Sequence, residues 1–254
     1  MTRRILTGIL VLAAGLMAQQ PPQKGGGAGM VPGAKSQGES QAVIAMIQAN
    51  GNPDNVIKAA EDLLTKYADT SFKETALLAE ADAYRQKRDN EKAQIFAERV
   101  LEVNPKSFQA NLMLGELLVS TTRENDLDKD EKLTKAEKHL NATIEELKTA
   151  AKPNPQLPDA QWEDSKKWVS AQAHNDIGMA ALTRKKYDVA IAEFKQAIDG
   201  DPQAAYSVRL ASAYQASGKN QEAIEICDKL LADPQLHPTI KQVAQNIKTQ
   251  ASKK

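Results

Sequence analysis

The side chains that could do covalent or metal chemistry are few and scattered. Cys227 is the single thiol in 254 residues, which excludes an internal disulfide, a CxxC redox pair and a cysteine-rich zinc site. A thiol nucleophile needs a nearby base in an exposed, electropositive setting, so Cys227 reads instead as a small buried hydrophobe. His139, His174 and His237 are far apart and show neither HExxH nor i, i+4 spacing, so metal binding is not expected. Glu124, Asp126, Asp128, Asp130 and Glu131 alternate loosely, as calcium ligands do, but Lys129 interrupts them and the central glycine of a calcium loop is missing. They read as a solvated charged turn. No Ser/His/Asp motif or paired-carboxylate signature is present, so the expectation is a protein that is not an enzyme and needs no cofactor.

Trp162 and Trp168 have a different use. Six residues apart on a helix, they are turned by about 600° and lie on different faces. One is expected to pack while the other, more exposed, could anchor a partner. The charge balance narrows the choice of partner. With 33 Lys+Arg against 33 Asp+Glu, nothing draws the chain to nucleic acid.

The elements that must position these residues are helical. Aromatics are only 4% of the chain, too few for a β-sandwich, whereas Ala, Leu, Glu, Lys and Gln are plentiful. The first 18 residues, MTRRILTGILVLAAGLMA, stand apart: Arg3 and Arg4 lead an apolar run that ends before a polar, Pro-rich stretch. This is the pattern of a secretory signal peptide, too short to span a membrane, with cleavage expected between Ala18 and Gln19. Export to the periplasm or the medium is the expectation, in a bacterial envelope, with no stable membrane span after cleavage. Losing Arg3 and Arg4 leaves 31 Lys+Arg against 33 Asp+Glu. Residues 19–37 are rich in Gly, Pro and Gln and read as a flexible linker.

Beyond the linker the chain repeats. In residues 171–202, Ile177-Gly178, Ala181, Tyr187, Ala190, Phe194, Ala197-Ile198 and Pro202 fall where two antiparallel helices need large, small and helix-ending residues. The next unit carries Leu210-Ala211, Tyr214, Gly218, Ala223, Cys227 and Asp233-Pro234 in the same register, with Cys227 in the slot of Phe194. Leu77, Ala81, Tyr84, Ala93, Ala97 and Asn104-Pro105 form an earlier copy, and Leu114-Gly115, Leu118, Ala136, Leu140 and Ile144 another. A degenerate first unit begins near Ser40. A last amphipathic stretch from Thr239 is expected to cap the array.

These residues resemble the tetratricopeptide repeat, a helix-turn-helix unit of 34 residues. The resemblance implies an all-α fold, a right-handed α-solenoid of stacked helix-turn-helix repeats, with five units and a cap. One departure stands out. Ala93 and Ala136 are separated by nine residues more than one period, and the excess lies in residues 122–132, which should lengthen the inter-helix turn or its helices. Pro153, Pro155 and Pro158 interrupt the array. Two sub-arrays are expected, 38–152 and 159–254, joined by a hinge at 153–158, with Asp159 capping a long helix over 160–182.

In this family the first helices of the repeats line a concave groove. The matching positions are Leu78, Asp82 and Arg85; Leu112, Glu116 and Val119; Asn175, Met179 and Leu182; and Val208, Arg209 and Ser212. Members that hold acidic peptide tails use a clamp of Lys, Asn and Arg. Here Leu78, Leu112 and Val208 replace lysines, and Asp82 and Glu116 would repel a carboxylate. The groove therefore suits a protein or peptide with apolar anchors and basic flanks. The function that follows is a non-enzymatic protein-binding scaffold of the cell envelope. The alternative is a structural subunit of an envelope or outer-membrane assembly that self-associates.

Overall fold

The computed structural model describes residues 30–49 and 51–253. The signal segment, its Ala18–Gln19 cleavage site and the linker as far as residue 29 lie outside them. The described residues form eleven helices and no strand: α1 (Gln37–Gln48), α2 (Pro53–Lys66), α3 (Lys73–Gln86), α4 (Asn90–Val103), α5 (Phe108–Thr121), α6 (Lys129–Leu147), α7 (Asp159–Thr183), α8 (Tyr187–Gly200), α9 (Ala204–Ala216), α10 (Asn220–Leu231) and α11 (Pro238–Ala251). They fall into two compact units. One runs to Leu114 and includes Thr149–Asp159; the other joins Gly115–Lys148 to Ala160 and all that follows. The division lies inside α5, and the Pro-rich stretch 153–158 belongs with the first unit.

In the first unit Leu77, Val100 and Ala110 form the buried core of α3, α4 and the start of α5, with Leu63, Ala81, Ala93 and Ala97 also fully buried. Proline at the start of α2 costs no hydrogen bond, and the Asn52 side chain accepts from the Asp54 and Asn55 amides. The end of the expected flexible linker is docked. Val31 is buried, its amide donating to Ser40 Oγ at 2.8 Å, and Ser71 Oγ donates to the Gly33 carbonyl at 3.0 Å. Glu39 explains the docking: buried in α1, it accepts from the Lys35 amide and from Thr70 Oγ1 at 2.6 Å. With the Lys35 ammonium on the Asp69 carbonyl and carboxylate, these bonds hold the Gly/Pro-rich segment in place.

In the second unit each helix pair closes over a small residue. A Cβ on Gly178 would lie 2.7 Å from the Phe194 ring, and one on Gly115 would lie 2.5 Å from Leu140, so the two glycines set the helix separation. Ala181, Ala190, Ile191, Phe194, Leu210 and Ala213 form one core, and Ala211, Ala223, Cys227, Ala244 and Ile247 the next, with α11 covering the last pair. The extra residues of 122–132 are divided between a turn at 122–128 and α6, which has 19 residues where α4, α5 and α8 have 14. The long helix α7 has 25 residues and starts at Asp159, whose side chain accepts from Lys152 Nζ at 2.5 Å instead of capping.

Three inter-helix turns share one geometry. Arg88, Lys185 and Gly218, each five residues before the small alanine of the second helix, have φ of 62°, 61° and 80°. The following amide then reaches back to the first helix: Asp89 to the Tyr84 carbonyl, Lys186 to Ala181 and Lys219 to Tyr214, at 2.8–3.0 Å. This is a Schellman closure, which satisfies carbonyls the helix end leaves free.

Candidate functional site

The first helices differ in what they leave accessible. In the first unit, Leu78 of α3 is half-buried against the core of Leu77 and Val100, and Leu112 of α5 is buried at 3% exposure. Asp82 is buried and closed on itself: Arg85 donates to Oδ1 from Nη2 at 2.6 Å and from Nε at 3.2 Å, and Gln86 donates to Oδ2 at 2.7 Å. Its charge is therefore neutralised within the helix, and the repulsion of a carboxylate expected from Asp82 has no free anion behind it.

In the second unit Glu116 and Val119 of α5 are half-buried, as are Met179 and Leu182 of α7 and Val208, Arg209 and Ser212 of α9. Met179 and Leu182 pack on the core of Ala181 and Phe194, and Val208 packs on the core of Cys227, so each gives one side to the fold. Asn175 is buried and joins two repeats: Arg209 Nη1 donates to its Oδ1, and its own Nδ2 donates to Asp176 Oδ1 at 2.8 Å.

Asp176 and Tyr206 belong to this cluster and were not among the expected positions. Asp176 keeps some surface, yet desolvation of its carboxyl, then the nearby Glu116 carboxylate, push its pKa up to about 7 against the pull of Arg209. Burial pushes the buried Tyr206 phenol up to about 12, with Asp201 and Asp176 adding to it. One signal marks Asp176 in the sequence: it occupies the position of Arg209 one repeat earlier. The second unit thus offers a face of carboxyls, an anchored guanidinium and half-buried apolar side chains. It can bind by charge and apolar contact.

The remaining candidates have structural work. Cys227 is buried, and its thiol pKa is raised, first by burial, the reverse of an activated nucleophile. His174 Nδ1 meets Glu193 Oε2 at 2.7 Å, tying α7 to α8, and His237 accepts from the Thr239 amide at the start of α11. Trp162 is buried under Lys166, and Trp168 is half-buried. The acids of 124–131 are held by cations: Glu124 by Lys185 at 3.1 Å, Asp128 by Lys132 at 3.0 Å and Asp130 by Arg184 at 3.4 Å. Among the described residues no cluster of three His, Cys, Asp or Glu could hold a metal, and no helix is long and apolar enough to cross a membrane.

Helix pairs in register, small residues at each crossing and Schellman-closed turns define a helical repeat solenoid. A model of the tetratricopeptide repeat matches residues 78–143 and 170–238, more than half of the chain, which belongs to the tetratricopeptide repeat family. Among solved structures it is similar to TTC0263, a thermophilic TPR protein of Thermus thermophilus, at 18% identity and TM-score 0.55, over 82% of this chain and 98% of that one. It is also similar to the MamA RS-1 ArsTM double mutant, at 16% identity and TM-score 0.58, over 84% and 98%. A comparison with curated proteins found no match. Repeats of this family make protein–protein interaction scaffolds.

Proposed function

We propose that the chain is an exported, non-enzymatic scaffold of the cell envelope that holds a peptide or protein partner on the first-helix faces of its repeats. The observation that carries the reading is the Asn175–Arg209 bond between α7 and α9, which presets a guanidinium beside Glu116 and Asp176 on a face that also presents Met179, Leu182, Val208 and Ser212. A fixed polar group among half-buried apolar ones lowers the ordering cost of binding. Export rests on the first 18 residues. The intact mass of the protein from its host should match a chain beginning at Gln19; a mass that retains Met1–Ala18 would remove cleavage and leave the segment as an anchor, and recovery of the protein in the cytosolic fraction would remove export. For the face, the parent, Met179→Glu and Ser212→Glu are used to recover partners from envelope extract, with thermal melts to verify folding. Folded variants should lose the partner; equal recovery would remove this face from the account.

A further inference from the structure

Ala81, Gly115, Gly178 and Ala211 hold the same place in α3, α5, α7 and α9, and the residue before each of them is buried. In α5, α7 and α9 that residue is Leu114, Ile177 or Leu210. In α3 it is Glu80, which is 1% exposed and whose Oε2 takes no hydrogen bond. A carboxyl in a slot that the other repeats fill with an apolar side chain has two characters. With its proton it is a neutral filler; without it, it is a charge that needs water.

The surroundings of Glu80 are unequal on its two sides. Burial raises its pKa most, Arg99 of α4 pulls it down and Glu61 of α2 pushes it up, so an ionised Glu80 is drawn to α4 and repelled by α2. Fastening is unequal in the same sense. The Tyr84 ring of α3 stacks on Phe96 of α4 at 5.2 Å, and Asn104, which ends α4, donates to the Glu74 carboxylate of α3 at 3.0 Å. Between α2 and α3, Leu64 packs half-buried on the core of Leu77 and Val100, and the Asp54–Lys87 ion pair joins exposed groups, which hold weakly. The hydrogen bonds that dock residues 31–35 end on α1 or on the turn at 69–71, and none of them reaches α3. We propose that Glu80 makes the seam between α2 and α3 a pH-operated gate: loss of its proton lets α1 and α2 part from α3 as one piece, while α3 and α4 stay together. The proposal goes beyond the partner-binding reading and does not depend on it, since no residue of that face takes part.

Opening gives Glu80 to water, where its carboxyl ionises near pH 4.5, whereas in the closed gate it keeps its proton to about pH 7. The gate is therefore tightest below pH 4.5, loosens as pH rises and levels off above pH 7. Amide hydrogen exchange of the full chain at pH 5, 6, 7 and 8, with each rate divided by that of an unstructured peptide at the same pH, reads the opening. Amides of α1 and α2 should open together, at least about tenfold more than those of α4 at every pH. From pH 5 to pH 7 their opening should rise at least about tenfold, and from pH 7 to pH 8 by no more than about twofold. Glu80→Gln, which keeps the shape, and Glu80→Leu, which fills the slot as the other repeats do, should each remove the rise. Three results overturn the proposal: a single opening constant shared by α2 and α4, an α2 opening that is flat from pH 5 to pH 7, or a rise that Glu80→Gln leaves intact.

Discussion

Arg88 and Lys185 hold a backbone conformation that glycine adopts at no cost, and Gly218 shows the alternative at the same place in the next repeat. An L-residue there bears about 1 kcal/mol of steric strain. Arg88→Gly is therefore expected to stabilise the chain by about 1 kcal/mol, and Gly218→Ala to destabilise it by a similar amount, both measured by urea unfolding. A Cβ on Gly218 meets nothing within 4 Å, so backbone strain alone carries the second effect. At this scale sequence reading is uneven. Gly218 announces its turn, but Arg88 and Lys185 have the side chains of ordinary surface residues, and only their distance from Ala93 and Ala190 gives them away. Asp82 shows a second limit: its place on the first helix follows from the register, while its closure by Arg85 and Gln86 depends on rotamers that no register encodes.

Among the elements, α6 shows how an insertion is absorbed. The first turns of α6 are tied down by Arg184 at the end of α7. Its Nη1 donates to both Glu137 oxygens at 2.9 Å, and its Nη2 donates to the Asp130 carbonyl at 2.8 Å and to Thr134 Oγ1 at 2.9 Å. With 7% of its side chain exposed, this guanidinium fastens the start of α6 to the end of α7. Arg184→Met keeps the stem and removes the donors. Glu137 retains 26% exposure and can be rehydrated, so the expected cost is about 1–2 kcal/mol, below the ~3–5 kcal/mol of a charge stranded in the interior. Amide hydrogen exchange should quicken in the first turns of α6 and stay unchanged in α3. The paired helices were legible in the sequence because Ala81, Gly115, Gly178 and Ala211 recur one position before each first-helix face, and because Pro105, Pro202 and Pro234 end the second helices. The partner of the insertion was not legible, since Arg184 is far from it along the chain and its type suits any surface. Docking of Val31 was hidden for a related reason: Gly/Pro composition predicts a loose segment, whereas Ser40, Ser71 and the buried Glu39 hold residues 31–35 by single hydrogen bonds.

At the scale of the whole molecule, each unit carries, among the described residues, a carboxyl whose pKa is raised to about 7. In the first, Glu80 of α3 is 1% exposed, with one oxygen that makes no hydrogen bond. Burial lifts its pKa from 4.5 to about 7, the Arg99 charge opposing and the Glu61 charge adding. In the second, Asp176 is lifted to about 7 by burial and by Glu116. A carboxyl whose pKa is higher in the folded state favours folding in full below its unfolded value and loses that contribution as pH rises through the folded value. Both groups act in the same direction, so their contribution to stability should fall between about pH 4.5 and pH 7 and level off above. Glu80→Gln keeps the shape without the charge. At pH 8 it should raise stability by about 1–3 kcal/mol, and below pH 4.5 the gain should vanish. Asp176→Asn should show the same sign over an interval that begins lower, near pH 3.8. The two carboxyls share none of the groups that perturb them, so the double variant should equal the two single effects added to within about 0.5 kcal/mol. Urea unfolding at pH 4.5, 6 and 8 provides the check. A Glu80→Gln gain that did not grow with pH would mean that the Glu80 carboxyl is ionised in the folded protein across this interval, with Arg99 compensating its burial.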